Sequence, residues 1–292
     1  ELPSKEHKQR AMIARLLVLT AAVASAVHVQ PAVRTVHFQL AVRMQRRIVR
    51  SEPKVEPLAP RAGLPNMLFT ETGATLLGAT GVLAWIAPKF NLPGFKGYDD
   101  TAAVIVRAIG AWQICLAAVL MIGKQSNVTL AAGYGLYAAA LTVVSIIPVW
   151  ECLGREKVSQ VGAALLFALL GKFTLRGSVS PYVAPASYLL TGTLIYFTPK
   201  STAALYELSK PLSDLATSML SLYGGVIATC GIYLAGTAYG LTHPQSFAAA
   251  FATNALISLK WAIAEAAKLG TPKLGPLVWA VISTVLSGLA LR

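Results

Sequence analysis

Eight long apolar stretches follow one another from about residue 67 to the end of the chain, and short polar segments separate them. They run over 67–87, 102–123, 128–150, 158–176, 182–198, 213–240, 245–267 and 274–291. A helix needs ~20 apolar residues to cross the ~30 Å hydrocarbon layer of a bilayer. Proline and glycine residues fall in the separating segments, where a helix ends most easily. The pattern therefore predicts an all-α integral membrane protein with about eight spans.

The end of the first stretch is repeated at the end of the fifth. Residues 81–89 (GVLAWIAPK) and 192–200 (GTLIYFTPK) lie 111 positions apart, and in each an aromatic residue and a proline precede a lysine. Gly110 and Gly224 follow at nearly the same offset. This spacing predicts a tandem duplication of a four-helix unit, and because four is an even number the two transmembrane bundles are parallel. The predicted organisation is a targeting region over 1–65, repeat 1 over 66–177 and repeat 2 over 178–292.

Both copies share one layout. A helix rich in small residues ends in aromatic-x-x-Pro-Lys, a second helix opens around Gly110 or Gly224, and two more helices follow. This layout resembles the DoxX-like group of small four-helix membrane proteins, and the resemblance covers nearly all of 66–292, once per repeat. It implies a four-helix membrane bundle in each half and identifies no functional residue. The chain departs from that group in being doubled, and Ser221 stands where the first copy has Arg107.

Composition agrees with a membrane protein, since 55% of the residues are hydrophobic, 13% are charged and mean hydropathy is +0.60. The formal charge of +13 does not indicate nucleic-acid binding. More than half of it lies in the first 61 residues, and the rest is scattered over short loops with no basic groove lined by aromatic residues. We therefore expect no nucleic-acid partner.

The first 65 residues have the composition of targeting segments. Met12 and a short basic region precede the apolar run at 16–26, which ends in Ala-Ser-Ala like a secretory signal peptide. Residues 27–50 then hold five arginines and no acid, as organelle transit peptides do. The order resembles the bipartite presequence of algae with secondary plastids, with 1–11 as leader. Such a presequence predicts a plastid membrane protein, in the thylakoid or in the envelope. Two alternatives stay open: a retained amphipathic arm on anionic lipid, or a simple signal for the endomembrane system.

Loop charges favour one orientation. The loops after the first, third, fifth and seventh helices carry most of the basic residues of the membrane region: Lys89, Lys96, Arg155, Lys157, Lys200, Lys210, Lys268 and Lys273. The other side carries Lys124, Arg176 and Arg292 once the presequence is removed. The first side is expected to be stromal or cytosolic. If 27–61 stay attached, their charges argue the reverse.

Four ionisable residues within the predicted spans are the candidate site: Glu71, Arg107, Lys260 and Glu265. Burying such groups in a bilayer is costly, so each is a functional candidate. A Glu71–Arg107 ion pair is not expected, because their helices are antiparallel and put them near opposite faces. By the repeat offsets Arg107 corresponds to Ser221 and Lys260 to Val144, so neither cation occurs in both copies. Each cation has two interpretations: a ligand or ion contact, or a lysine or arginine that extends to the headgroups.

The candidate residues include no catalytic or cofactor constellation. The sequence has no histidine array, no paired carboxylates and no CxxC, and its cysteines are interpreted as packing residues. We expect no enzymatic activity, no cofactor and no metal. The leading hypothesis is a structural or assembly component of a plastid membrane, with lipid and a larger membrane complex as partners. The alternative is a small-solute channel or transporter, and a membrane enzyme acting on lipid is ranked third.

Overall fold

The computed structural model describes residues 63–88, 99–123, 126–146, 157–205 and 212–292. Within them every regular element is a helix. These are α1 (Gly63–Ile86), α2 (Asp100–Ile122), α3 (Ser126–Ile146), α4 (Lys157–Leu175), α5 (Val183–Phe197), α6 (Pro199–Leu205), α7 (Asp214–Ala238), α8 (His243–Lys260), α9 (Ala266–Leu269) and α10 (Leu274–Ala290). A π-helical turn, Trp261–Glu265, joins α8 to α9. The predicted leader, signal and transit segments lie outside the described residues.

Each of the eight predicted stretches overlaps a helix, and the described residues confirm the all-α prediction. Three of these helices are long and apolar enough to cross a membrane: α2, α7 and the continuous helix His243–Leu269 that α8 and α9 form. The apolar segments Val183–Phe197 (α5), Leu274–Ala290 (α10) and Leu165–Leu175 (in α4) are shorter. The described part of the chain therefore supports a membrane protein with at least three candidate spans.

Local capping explains where the long helices begin and end. Asp99 accepts a hydrogen bond from a first-turn N–H of α2, and Ser213 does the same for α7. Thr242 and Gln245 form a reciprocal capping box at the start of α8. Gly270, in the left-handed conformation, ends α9. Each residue satisfies backbone groups that a helix end leaves open.

The helices pair in the same order in both halves. In the first half α1 packs on α2 and α3 packs on α4, while in the second half α5 packs on α7 and α8 packs on α10. The halves meet chiefly where α2 packs on α7. We call this contact the α2–α7 seam, with Trp112 on one side of it and Tyr223 on the other. It joins the two halves through their second helices.

Glycines let the first two helices of each half touch through their backbones. A Cβ added at Gly110 would lie 2.5 Å from the carbonyl oxygen of Gly81 and 2.7 Å from the backbone nitrogen four residues further along α1. A Cβ at Gly224 would lie 2.7 Å from the carbonyl oxygen of Gly192 and 2.5 Å from the backbone nitrogen four residues further along α5. Small residues permit such close approach between membrane helices. The same crossing is therefore built twice.

The outward surface of the bundle is apolar. Large aliphatic side chains are more than half exposed on several helices; examples are Ile86 on α1, Leu165 on α4, Leu190 on α5, Leu256 on α8 and Val281 on α10. In contrast, Trp112 and Leu116 of α2 and Ile227 and Leu234 of α7 are buried. A wide apolar outer surface around a packed interior is what a lipid environment requires of a helix bundle.

Candidate functional site

The π-helical turn Trp261–Glu265 interrupts the longest helix close to two of the predicted site residues. Within it the backbone N–H of Ala266 bonds to the carbonyl of Trp261, five residues back instead of four. Trp261 and Ala262 of the turn are buried. Such insertions are rare and occur often at functional sites. The turn begins directly after Lys260 and ends at Glu265, so it brings two of the predicted residues to one place in the fold.

Glu265 is held by the neighbouring helix. Its carboxylate Oε2 accepts a hydrogen bond of 2.5 Å from the hydroxyl of Ser218, which is buried in α7. The glutamate itself is half-buried. Because a carboxylate away from water needs donors, this contact both satisfies Glu265 and ties the π-helical turn to α7.

Lys260 lies on the outer surface and covers an aromatic ring. Its Nζ is 4.2 Å from the ring centroid of Tyr196 and 5.8 Å from that of Phe197, and the side chain is exposed. Tyr196, at the end of α5, is the residue of the second repeated stretch that corresponds to Trp85 in the first. An ammonium at this distance from a ring is attracted to its face. The contact brings together a predicted site residue and the sequence motif from which the duplication was predicted.

Arg107 and Glu71 lie apart from this site on α2 and α1. Arg107 is half-buried, and its Nε is shielded from solvent with no hydrogen-bond partner among the described residues. Glu71 is exposed. The two side chains form no ion pair with each other in the described structure. Of the four predicted residues, Lys260 and Glu265 thus flank one structural feature, whereas Arg107 and Glu71 do not join it.

An aromatic cluster that was not predicted from the sequence lies at the α2–α7 seam. The indole Nε1 of Trp112 donates a hydrogen bond of 3.0 Å to the hydroxyl of Tyr223. The rings of Tyr137 and Tyr188 lie 4.9 and 5.5 Å from the Trp112 ring, measured between centroids. The residues come from α2, α3, α5 and α7, so no local spacing could have connected them. The cluster fills the contact between the halves with buried aromatic surface.

A second polar contact connects α7 to the start of α8. The Nδ1 of His243 lies 2.7 Å from the hydroxyl of Tyr233, which is buried. Gly123, at the end of α2, leaves room for the pair, because a Cβ there would collide with the Tyr233 hydroxyl. His243 precedes the predicted helical run at 245–267, but it is the first residue of α8. The contact joins α7 to α8 within the second half, and it packs against Gly123 at the end of α2 in the first half.

We expect Ser218→Ala to lower the free energy of unfolding by about 1–2 kcal/mol, because the Glu265 carboxylate would lose its buried donor. The measurement is a denaturant titration of the purified chain in detergent. Ser201→Ala, at an exposed position of α6, is the matched control and should leave stability unchanged. Equal stability of the two variants would mean that the hydrogen bond does not hold the π-helical turn.

The described residues offer no metal site, and the chain matches no known protein family. Among the described residues no group of three or more histidine, cysteine, aspartate or glutamate side chains could hold a metal ion. Cys115 and Cys230 are both buried and form no disulfide. No protein-family model matches the chain, and the comparisons with curated proteins and with solved structures each found no match.

Proposed function

We propose that this chain is a membrane protein of eight spans built from two duplicated four-helix units. The support is the repeated helix crossing: Gly110 meets Gly81 as Gly224 meets Gly192, with the same backbone atoms in contact. The order of helix pairing is also the same in both halves. Two unrelated bundles would have no reason to share these contacts at nearly the same sequence offset, whereas a duplicated gene would retain them.

We further propose a structural or assembly role in the membrane, without transport or catalysis. The observation that carries this proposal is the packing of the α2–α7 seam. Trp112 is buried there, three aromatic rings contact it, and the one polar atom of its side chain, Nε1, bonds to Tyr223. A solute pathway between the halves would need polar, hydrated walls at this position. Lys260 faces outward over Tyr196 instead of into the seam.

The alternative, a small-solute channel or transporter, is favoured by one observation. The Nε of Arg107 is shielded from solvent and no described residue accepts a hydrogen bond from it. A buried donor without an acceptor is costly, and an anionic solute could supply the acceptor. This alternative therefore predicts that Arg107 contacts the solute.

One experiment separates the two roles. The full chain is extracted in mild detergent for native electrophoresis, and the purified protein is placed in liposomes for flux measurements with small anions. The assembly role predicts migration with a larger complex and no flux above empty liposomes. Flux that Arg107→Leu abolishes would overturn it in favour of a transporter.

The plastid location is proposed from residues 1–65 alone, of which the structure describes only 63–65. Expression with a C-terminal fluorescent tag in an alga with secondary plastids should give a plastid signal and a mature N-terminus between Ala26 and Pro65. An endomembrane signal with 27–65 retained would instead make the arginine-rich segment part of the working protein.

A further inference from the structure

Lys260 occupies an unusual position for a charged side chain. It lies about 13 Å of helix rise before the end of α9 at Leu269, at 1.5 Å per residue. Its neighbours on the outward face, Leu256, Leu259 and Ile263, are exposed and apolar. In the proposed membrane this face meets lipid, where a lone cation is costly. Lys260 therefore needs an anionic partner that can reach it from the lipid side.

The protein supplies only part of that compensation. The Tyr196 ring attracts the ammonium through its face but carries no charge. The nearest acid along the helix, Glu265, is bonded to Ser218 on α7. No carboxylate of the described residues lies within ion-pair distance of Lys260. The positive charge is therefore left on the outer surface beside the aromatic pair Tyr196 and Phe197.

The aromatic pair is held in place by the helix crossing beneath it. Gly224 of α7 abuts the backbone nitrogen of Tyr196, and the Ser221 hydroxyl donates a hydrogen bond of 2.8 Å to the Tyr196 carbonyl. The Phe197 ring meets the Tyr196 ring edge-on, 5.0 Å away between centroids. A Cβ added at Gly225, one residue on, would lie 3.0 Å from Ile257 and 3.4 Å from the Tyr196 ring, so the glycine lets both side chains approach α7. Ile257 lies one turn before Lys260. The ring and the lysine are thus positioned before any ligand binds.

Among the described residues of the second half at this end of the bundle, lysines outnumber the acids, which are Asp214 and Glu265. Lys200 follows α5, Lys268 lies in α9 and Lys273 precedes α10, and all three are exposed at this end of the bundle. These residues lie on the side with most of the loop lysines. A basic surface beside an aromatic residue at the level of the headgroups is suited to a lipid with a negatively charged head.

We propose that Lys260, the Tyr196–Phe197 pair and the adjacent lysines bind the headgroup of one anionic lipid. The anionic oxygens accept hydrogen bonds from the Lys260 ammonium, while the acyl chains lie along Leu256 and Ile263. Repeat 1 has Val144 at the position corresponding to Lys260, so each chain has one such site. The inference rests on the proposed membrane insertion but not on the assembly role.

The test is native mass spectrometry of the full chain in detergent with added phosphatidylglycerol or phosphatidylcholine of identical acyl chains. The wild type should retain one phosphatidylglycerol in preference to phosphatidylcholine. Lys260→Met should weaken that binding about fivefold, the contribution of one basic residue near an anionic surface, and leave phosphatidylcholine binding unchanged. Lys260→Arg should bind as the wild type does.

Lys172→Met is the matched control, because Lys172 is also an exposed lysine, near the end of α4. Lys172→Met should retain one phosphatidylglycerol, as the wild type does. No preference for phosphatidylglycerol in the wild type, or equal losses from Lys172→Met and Lys260→Met, would overturn the site. Insertion of the chain into lipid nanodiscs is scored separately: failure there would contradict membrane insertion itself, whereas insertion without lipid preference would contradict the site alone.

Discussion

Gly224→Ala is expected to destabilise the protein strongly, by about 3 kcal/mol or more, because overpacking that only a backbone shift can relieve lies at the upper end of such costs. The new Cβ would lie 2.5 Å from the backbone nitrogen of Tyr196 and 2.7 Å from the carbonyl oxygen of Gly192. Neither atom can turn aside as a flexible side chain could, so α5 and α7 must move apart. The measurement is the midpoint of thermal unfolding of the purified chain, followed by size-exclusion chromatography.

Two further alanine variants make this result specific. In Gly110→Ala the new Cβ would meet the backbone of Gly81 in the same geometry. The free energy of unfolding should therefore fall by a similar amount, because the same helix crossing occurs in both halves. Gly288→Ala, in α10, has no heavy atom within 4 Å of the new Cβ. It should be neutral or gain up to about 1 kcal/mol, since alanine is the better helix former. If Gly224→Ala unfolded at the same temperature as Gly288→Ala, the close crossing of α5 and α7 would be wrong.

Trp112→Ala is expected to cost about 3–5 kcal/mol, the range for removing a large buried aromatic side chain. The indole contacts the rings of Tyr137, Tyr188 and Tyr223. Its loss would open a cavity between the halves and leave the Tyr223 hydroxyl without the indole donor. A denaturant titration in detergent measures the effect. Tyr223→Phe removes the hydrogen bond alone and should cost only about 1 kcal/mol.

The control for the seam is an aromatic residue on the surface. Tyr239, after α7, is 76% exposed, and Tyr239→Ala should change stability by no more than about 0.5 kcal/mol. An equally small loss from Trp112→Ala would mean that the α2–α7 seam is not tightly packed. The channel hypothesis would then gain support, because a loosely packed seam is what a pathway between the halves requires.

The helices themselves could be predicted closely from the sequence. The run at 213–240 appears as α7 (Asp214–Ala238), and the run at 158–176 as α4 (Lys157–Leu175). Both depend on local features: a continuous apolar run forms the helix, and capping or helix-breaking residues end it. The π-helical turn Trp261–Glu265 was not predicted, because no residue in it breaks a helix and its formation depends on contacts with neighbouring helices.

The candidate site could be predicted only in part. Lys260 and Glu265 were identified because a charge within an apolar run is costly wherever it points. Their partners were not identified: Ser218 lies 47 positions before Glu265, and Tyr196 lies in another helix. Arg107 and Glu71 met the same sequence criterion, yet they lie outside the site. The cost of burying a charge therefore identifies candidates without indicating which of them meet.

The sequence by itself determined the helical class, the apolar outer surface and the positions where helices begin and end, because these follow from hydrophobic runs and from chemistry within one or two turns. Only the tertiary structure decided that Trp112 meets Tyr223, that Lys260 covers Tyr196 and that Ser218 donates to Glu265. Each of these contacts depends on how two helices are rotated and how closely they cross. Rotation and distance are set by packing across the whole bundle, through crossings such as Gly192 with Gly224, and no single helix carries that information.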